Sequence, residues 1–113
     1  IIDWVANHSS PDNVWIEQGN MDWYTLDSTG NVQPTIGTDW WDVADLNYDN
    51  QGLRKEMAAD MLHWIKNENI DGFRCDVASN VPLDFWQQTI PQLLNFLSAV
   101  NNCLESNFTA ALQ

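Results

Sequence analysis

The sequence predicts a parallel α/β fold, in which strands alternate with helices that cover the sheet. Two short β-prone runs, at residues 1–5 and 70–77, are each followed along the chain by helical periodicity, at residues 51–68 and from Leu83 onward. This strand, helix, strand, helix order is typical of a parallel sheet, because parallel neighbours need a crossover connection. The first strand is separated from its helix by a long segment, residues 8–50, and segments of that length are usually functional.

The first predicted element is a strand at residues 1–5, which reads Ile-Ile-Asp-Trp-Val and gives way to the turn-forming residues 7–11. Residues 8–50, called here the loop segment, show no sustained helical or alternating pattern. Several Trp and Tyr residues within it argue against disorder. Its run Asp-Ser-Thr-Gly-Asn, at residues 27–31, predicts a hairpin turn.

The first predicted helix, residues 51–68, carries apolar residues at the spacing of one helical face. Asn50 precedes this helix and is a residue type that caps helix starts. The apolar positions that we expect in the core are Leu53, Met57, Met61, Trp64 and Ile65.

The second helix follows the second strand and a turn at residues 80–82. Pro82 suits the first turn of a helix, whereas Pro91 is expected to kink or end it. Its apolar face is predicted to carry Leu83, Trp86, Ile90 and Leu94. A third buried strand should follow, but residues 100–105 are more polar than a buried parallel strand normally is.

Charge and hydropathy exclude two classes of partner. Four Lys and Arg stand against sixteen Asp and Glu, which gives a formal net charge of -12. Nucleic acids and anionic membranes attract clustered positive charge, so we expect neither as a partner. No apolar run approaches the roughly 18 residues that span a bilayer. The two cysteines, Cys75 and Cys103, do not form a disulfide framework.

Two charged residues stand two positions apart on the second strand. Arg74 and Asp76 should therefore point to the same face. A cation beside a carboxylate favours its ionised form, which suits a nucleophile that must be charged when it attacks. A purely structural ion pair is the alternative interpretation. Cys75 points the other way and is expected to be a small buried residue, with Phe73 in the core beside it.

Polar and aromatic residues follow the first strand. His8 comes three residues after Val5 and could either hydrogen-bond a sugar hydroxyl or orient the loop. Trp rings offer flat apolar faces that can stack on sugar rings. The loop segment holds Trp15, Trp23, Trp40 and Trp41. We expect one or two of them to contact a ligand, with Trp41 as the candidate.

The segment 45–56 has oxygen-bearing side chains at the first, third and fifth positions and Glu56 at the twelfth. This spacing matches an EF-hand calcium loop. Asn50 stands at the sixth position, where the sharp turn requires Gly, and no predicted helix precedes Asp45. An EF-hand-like calcium-binding module therefore remains an alternative.

Three motifs resemble signatures of the alpha-amylase family of glycoside hydrolases. Residues 3–8, Asp-Trp-Val-Ala-Asn-His, resemble its Asp-x-Val-x-Asn-His signature. Residues 72–76, Gly-Phe-Arg-Cys-Asp, resemble Gly-Phe-Arg-x-Asp. Residues 43–47, Val-Ala-Asp-Leu-Asn, resemble the motif that lies late in the loop after the third barrel strand. The three motifs occur in the family's order, and the resemblance covers roughly residues 1–97.

The resemblance implies a (β/α)8 TIM barrel, with residues 1–113 as part of one catalytic domain. The chain would run from about strand 3 to strand 5, with residues 8–50 as a short insertion after strand 3. A closed barrel needs about 250 residues. The chain also begins at Ile1 without an initiator Met. We therefore expect a piece of a larger catalytic domain that is inactive by itself.

The resemblance also implies roles for individual residues. Asp76 would be the catalytic nucleophile, Arg74 its charge partner, and His8 a contact to the sugar in the cleavage subsite. Glu105 would be the general acid, although the residues upstream of it depart from the family pattern. The implied reaction is retaining hydrolysis of α-glucosidic bonds in starch, maltooligosaccharides or related α-glucans. A secreted or periplasmic location is slightly favoured over a cytoplasmic one.

A structural Ca²⁺ is the one cofactor that the resemblance suggests, because many family members bind it and many others do not. The positions that would supply its ligands are Asn7, Asp45 and the Asn80 carbonyl. A non-catalytic barrel relative is a further alternative, but such a relative is expected to lose Asp76 or Arg74, and both are present.

Overall fold

A computed structural model describes the backbone of residues 1–100 and the side chains of residues 1–97. The strands are β1 (Ile2–Val5), β2 (His8–Ser9), β3 (Ala44–Asp45) and β4 (Phe73–Asp76). The α-helices are α1 (Val14–Glu17), α2 (Gln51–Asn67) and α3 (Leu83–Val100). Two single-turn 3₁₀ helices span Met21–Trp23 and Ala78–Asn80. The expected third buried strand falls largely outside the described residues.

β1 and β4 form a two-stranded parallel sheet, which confirms the predicted pairing. Ile2 lies opposite Phe73, and Val5 lies opposite Asp76. Because side chains alternate along a strand, the sheet has two different faces. On one face Phe73 and Cys75 are buried in the core, as predicted. The other face, called here the open face, carries Asp3, Val5, Arg74 and Asp76.

Helix α2 begins where the sequence predicts. The Asn50 side-chain oxygen accepts a hydrogen bond from the Leu53 backbone N–H at 3.1 Å, which satisfies a donor that the first turn leaves unpaired. The residues of α2 that are buried are Leu53, Met57, Met61 and Ile65. Trp64, in contrast, is 40% exposed, so its predicted core position is wrong. Its ring lies edge-on to His63 on the same helix, near the helix end.

Helix α3 starts one residue after Pro82, whose carbonyl accepts a hydrogen bond from the Phe85 N–H at 3.1 Å. Pro91 was expected to kink or end this helix. The helix continues through Pro91, so this proline does not end it, and a kink there stays a prediction. A proline in a helix interior removes one backbone donor, and the residues on either side of Pro91 remain helical. Trp86 is buried as predicted, whereas Leu83 in the first turn is exposed.

A single hydrophobic core joins the buried face of the sheet to both long helices. Its largest fully buried side chains include Phe73 from β4, Leu53 and Met61 from α2, and Phe85 from α3. Within the described residues, none of the helices combines the length and the apolar character that crossing a membrane requires.

The loop segment contains short elements that its sequence does not predict. β2 and β3 pair antiparallel, with His8 opposite Asp45. The turn at residues 27–31 is confirmed, since the Asp27 N–H donates to the Asn31 carbonyl at 2.8 Å. Tyr24 and Tyr48 are buried in the core, so the loop segment is anchored to the rest of the fold by its aromatic side chains.

Candidate active site

Arg74 and Asp76 form an ion pair on the open face. The distance from Arg74 Nη2 to Asp76 Oδ1 is 3.1 Å, and about half of each side chain is exposed. The prediction that both residues point to one face is therefore confirmed. The exposure leaves the Asp76 carboxylate accessible to a ligand. Its role as a nucleophile stays a prediction at this point.

Cys75 lies between these two residues but faces the core. Its side chain is buried, and burial raises the pKa of the Cys75 thiol to about 11. The thiolate is the reactive form of cysteine, so this thiol is unreactive near neutral pH. The sequence prediction of a small buried residue is confirmed.

A chain of hydrogen bonds runs from Asp45 to His8 at the end of β1. Thr35 Oγ1 donates to Asp45 Oδ1 at 2.8 Å. Asn7 Nδ2 donates to Thr35 Oγ1 at 2.9 Å and lies 3.2 Å from His8 Nδ1. Asn7 is buried, so these contacts hold its side chain in place. Thr35 was not identified from the sequence, because it lies outside the three motifs that pointed to the other residues.

Of the loop-segment tryptophans, it is Trp40 that contacts His8. The two rings meet edge to face, with their centroids 5.2 Å apart. Trp41, the residue selected from the sequence, is 84% exposed. An exposed aromatic face is available for stacking, so Trp41 stays a prediction as a substrate contact. Trp40 was among the four candidate tryptophans but was not the one selected, because two adjacent tryptophans in an irregular segment give no periodicity by which to choose between them.

The three predicted calcium-ligand positions lie around one cavity of about 270 Å³. Asn7, Asp45 and Asn80 all line it, and Thr25, Thr35, Asn47 and Asp49 add further oxygen-bearing side chains. We call this cavity the oxygen pocket. An all-oxygen donor set with a carboxylate suits Ca²⁺, so the residues present fit that ion. Among residues 1–100, no three His, Cys, Asp or Glu side chains form a group that could hold a metal ion. Most ligands of an ion in the oxygen pocket would therefore be amide, hydroxyl and carbonyl oxygens.

The EF-hand alternative is not favoured by the geometry of residues 45–56. Asp45 belongs to β3 and is paired with His8 rather than following a helix. α2 already begins at Gln51, within the stretch that an EF-hand uses as its loop. Glu56 lies on α2 and hydrogen-bonds the Asp60 side chain. In this fold, Glu56 therefore pairs with Asp60 on α2 rather than with Asp45.

Glu105, the predicted general acid, lies outside the described residues. The described residues include the predicted nucleophile and its charge partner, the predicted sugar contacts, and the predicted calcium ligands. These groups lie on β4, follow the carboxyl ends of β1 and β4, or belong to the loop segment. Parallel strands bring their carboxyl ends to the same edge of a sheet, and this edge carries the active site in barrel enzymes.

Solved structures with a similar fold are known. A noncanonic maltogenic alpha-amylase, AmyB from Thermotoga neapolitana, is 39% identical with a TM-score of 0.74, over 83% of this chain and 21% of that one. An alpha-amylase from Lactobacillus plantarum is 38% identical with a TM-score of 0.75, over 84% of this chain and 22% of that one. The fold is therefore that of a segment of the alpha-amylase TIM barrel.

Sequence comparison points the same way. The alpha-amylase MalA of Haloarcula japonica is 28% identical over 95 residues, which cover 78% of this chain and 14% of that protein. The branching enzyme GlgB of Fusobacterium nucleatum is 29% identical over 84 residues, which cover 72% of this chain and 13% of that protein. The chain thus spans less than a quarter of these relatives. The family model for the alpha-amylase catalytic domain matches residues 1–108. The chain therefore belongs to the alpha-amylase family of glycoside hydrolases.

Proposed function

We propose that this chain supplies the nucleophile side of the active site of a retaining glycoside hydrolase that acts on α-glucans. The observation that carries the proposal is the Arg74–Asp76 ion pair, accessible on the open face at the end of β4. Val5, opposite Asp76 in the sheet, is followed by Asn7 and His8, so a sugar ring near Asp76 would meet the end of β1 as well.

In the proposed reaction, an Asp76 carboxylate oxygen attacks the anomeric carbon of an α-glucosyl unit. The bond to the leaving oxygen breaks as a general acid protonates that oxygen, and a covalent glucosyl ester forms on Asp76. The same acid residue, now a base, removes a proton from water, which attacks the anomeric carbon and releases the carboxylate. Arg74 pairs with the Asp76 carboxylate and would hold it in position for the attack. We assign the acid to Glu105, on the family resemblance alone.

His8 and Trp41 would bind the substrate. An imidazole can exchange hydrogen bonds with sugar hydroxyls, and an exposed indole can stack on a sugar ring. The substrate class is supported by the names of relatives: an alpha-amylase, several 1,4-alpha-glucan branching enzymes and a trehalose-6-phosphate hydrolase. An alpha-amylase from Geobacillus thermoleovorans, 26% identical with a TM-score of 0.68, was solved with acarbose.

The proposal includes the position of the chain in the barrel. β1 and β4 would be the third and fourth barrel strands, and residues 8–50 would be the insertion that follows the third. This placement accounts for the open face, because the inward side of barrel strands is covered only when the other strands are present.

We also propose that the oxygen pocket holds a structural Ca²⁺ through Asn7, Asp45 and the Asn80 carbonyl. The ion would supply rigidity by joining the end of β1, strand β3 and the turn after β4. Within residues 1–97, both hydrogen bonds of the Asn7 side chain use Nδ2, which leaves its oxygen available as a ligand. A non-catalytic role is less well supported, because the paired Arg74 and Asp76 are both retained.

Substitution of the proposed nucleophile tests the function. In the complete protein, we expect Asp76→Asn to lower kcat on maltooligosaccharides by on the order of 10⁴-fold or more, since nucleophile removal has effects of that size. A matched control is Asp71→Asn, which neutralises an exposed carboxylate just before β4. It should leave kcat unchanged.

A trapping experiment complements the variant. A 5-fluoro-α-glucosyl fluoride forms the ester quickly but releases it slowly, so mass spectrometry of digested protein should find the label on Asp76. Activity of Asp76→Asn within tenfold of the unaltered protein, or a label on another residue, would show that Asp76 is not the nucleophile.

A further inference from the structure

Thr35 stands in the middle of the hydrogen-bond chain that links Asp45 to His8. It is 10 residues from Asp45 and 28 residues from Asn7 along the sequence, and its hydroxyl contacts both side chains. A hydroxyl has one proton to donate and lone pairs with which to accept. The direction of each bond in this chain therefore depends on the others.

The carboxylate at one end sets the direction of the chain. An ionised carboxylate only accepts hydrogen bonds, so Thr35 must use its single proton toward Asp45. The Thr35 oxygen can then only accept from Asn7, which must present its Nδ2 group rather than its oxygen. Thr35 thus fixes which way round the Asn7 amide lies.

The same Nδ2 group faces the imidazole. Asn7 Nδ2 lies 3.2 Å from His8 Nδ1, and because Nδ2 is a donor, Nδ1 has to be the acceptor. A neutral imidazole carries one proton, which must then sit on Nε2. Trp40 packs edge-on against the ring and limits its rotation. The ring is held with one tautomer and one orientation.

We propose that Thr35 is a positioning residue that keeps His8 in the tautomer with its proton on Nε2, so that His8 donates to a glucosyl oxygen. The inference rests on the proposed function for the identity of the ligand. It assigns Thr35 a role in binding α-glucans that it exerts through Asn7 and His8, without contact between Thr35 and the sugar.

Substitution of Thr35 with valine or serine tests the proposal. Thr35→Val keeps the shape of the side chain but removes the hydroxyl, and Thr35→Ser restores it. The readout is the ¹⁵N NMR spectrum of neutral His8 in the complete protein labelled at histidine, with His8→Gln to assign the signals. We expect unprotonated Nδ1 in the unaltered protein and in Thr35→Ser, and mixed tautomers in Thr35→Val. Maltooligosaccharide affinity should fall about tenfold in Thr35→Val and recover in Thr35→Ser.

A matched control separates positioning from loop order. Thr38 belongs to the same loop, but its hydroxyl donates only to the Thr35 backbone carbonyl, at 2.6 Å. Thr38→Val should leave the His8 tautomer unchanged. The proposal is overturned if Nδ1 carries the proton in the unaltered protein, or if Thr35→Val and Thr38→Val give the same spectrum. The NMR readout needs no catalysis, so its failure is distinct from a failure of Asp76 as nucleophile.

Discussion

Asp3 on β1 lies directly across the sheet from Arg74 on β4, with 4.0 Å between Asp3 Oδ1 and Arg74 Nη1. The other terminal nitrogen of Arg74 lies 3.1 Å from Asp76. One guanidinium is therefore shared between two carboxylates on the open face. Each of the three side chains is about half-exposed or more, so solvent screens both pairs and they contribute little to folding stability.

Removal of the shared cation should consequently affect activity more than stability. In the complete protein, Arg74→Gln removes the cation that both carboxylates contact. We expect kcat on maltooligosaccharides to fall on the order of 10²-fold, as for the loss of one electrostatic stabiliser in an active site. The free energy of unfolding, measured by urea denaturation, should change by less than about 1 kcal/mol.

Arg54 provides the matched control, because it is an arginine with a structural role. Its side chain is only 12% exposed and pairs with Asp84 on α3 at 2.8 Å. It also donates to the Tyr48 carbonyl. Arg54→Gln should therefore lower the free energy of unfolding by about 1–2 kcal/mol and leave kcat unchanged. If Arg74→Gln behaves like Arg54→Gln in both measurements, the Arg74–Asp76 pair is structural.

The features that the sequence predicts well depend on neighbours in the chain. Arg74 and Asp76 share a face because side chains alternate along any strand. Asn50 caps α2 through a bond to the N–H three residues later. The exposure of Trp64 and Leu83, in contrast, depends on how far each helix end extends over the core, which local periodicity does not encode.

The residues of the candidate site also fall into two groups: those that the sequence identifies and those that only the structure reveals. Asn7, His8 and Asp45 were identified because they belong to motifs that resemble a known family. Thr35 was not identified, and Trp40 was not selected among the four candidate tryptophans, because contacts with residues distant in the sequence bring them to the site. The conformation of the loop segment is set by those long-range contacts, so no repeating pattern in its sequence indicates which side chains meet.

Asp60 on α2 makes stability depend on pH. Burial, and then the neighbouring Glu56 carboxylate, raise the pKa of Asp60 to about 6. In an unfolded chain the pKa of an aspartate is about 3.9. The folded protein therefore holds this proton more tightly than the unfolded chain does. The stabilisation that the protonated Asp60 carboxyl group contributes is fully present below about pH 4 and is lost as the pH rises through about 6.

Asp60→Asn should accordingly stabilise the protein at pH 7 and have little effect near pH 3.5. We expect a gain of about 1 kcal/mol, less than the full shift would give, because Asp60 is only partly buried. Urea denaturation at the two pH values measures this difference. Glu56→Gln should act in the same direction, whereas the exposed Asp71→Asn should change stability at neither pH. An equal effect of Asp60→Asn at both pH values would contradict the assignment.

Calcium should raise the melting temperature of the complete protein through the oxygen pocket. Binding to the folded state alone stabilises by about 2.7 kcal/mol when the free ion exceeds its Kd 100-fold. We expect a chelator to reverse the shift. Asp45→Ala should abolish it, because this variant removes the proposed carboxylate ligand from the pocket lining.

Glu56→Gln separates this site from an EF-hand. An EF-hand needs its twelfth residue as a bidentate ligand, so Glu56→Gln would abolish calcium stabilisation there. In the oxygen pocket, Glu56 is absent from the lining, and the shift should persist. A melting temperature that responds to neither calcium nor chelator would exclude a structural calcium ion.

Alanine substitutions of the two adjacent tryptophans of the loop segment should differ in their effects on substrate binding and on stability. Trp41 is 84% exposed, so Trp41→Ala should leave stability unchanged and weaken maltooligosaccharide binding about fivefold, the effect of losing one stacking contact. Trp40 packs against His8, so Trp40→Ala should lower both kcat and the free energy of unfolding. Titration calorimetry and urea denaturation measure these effects, with the surface residue Trp64 as the control: Trp64→Ala should leave the Kd unchanged. If Trp40→Ala weakens binding and Trp41→Ala does not, the stacking contact belongs to the ring beside His8.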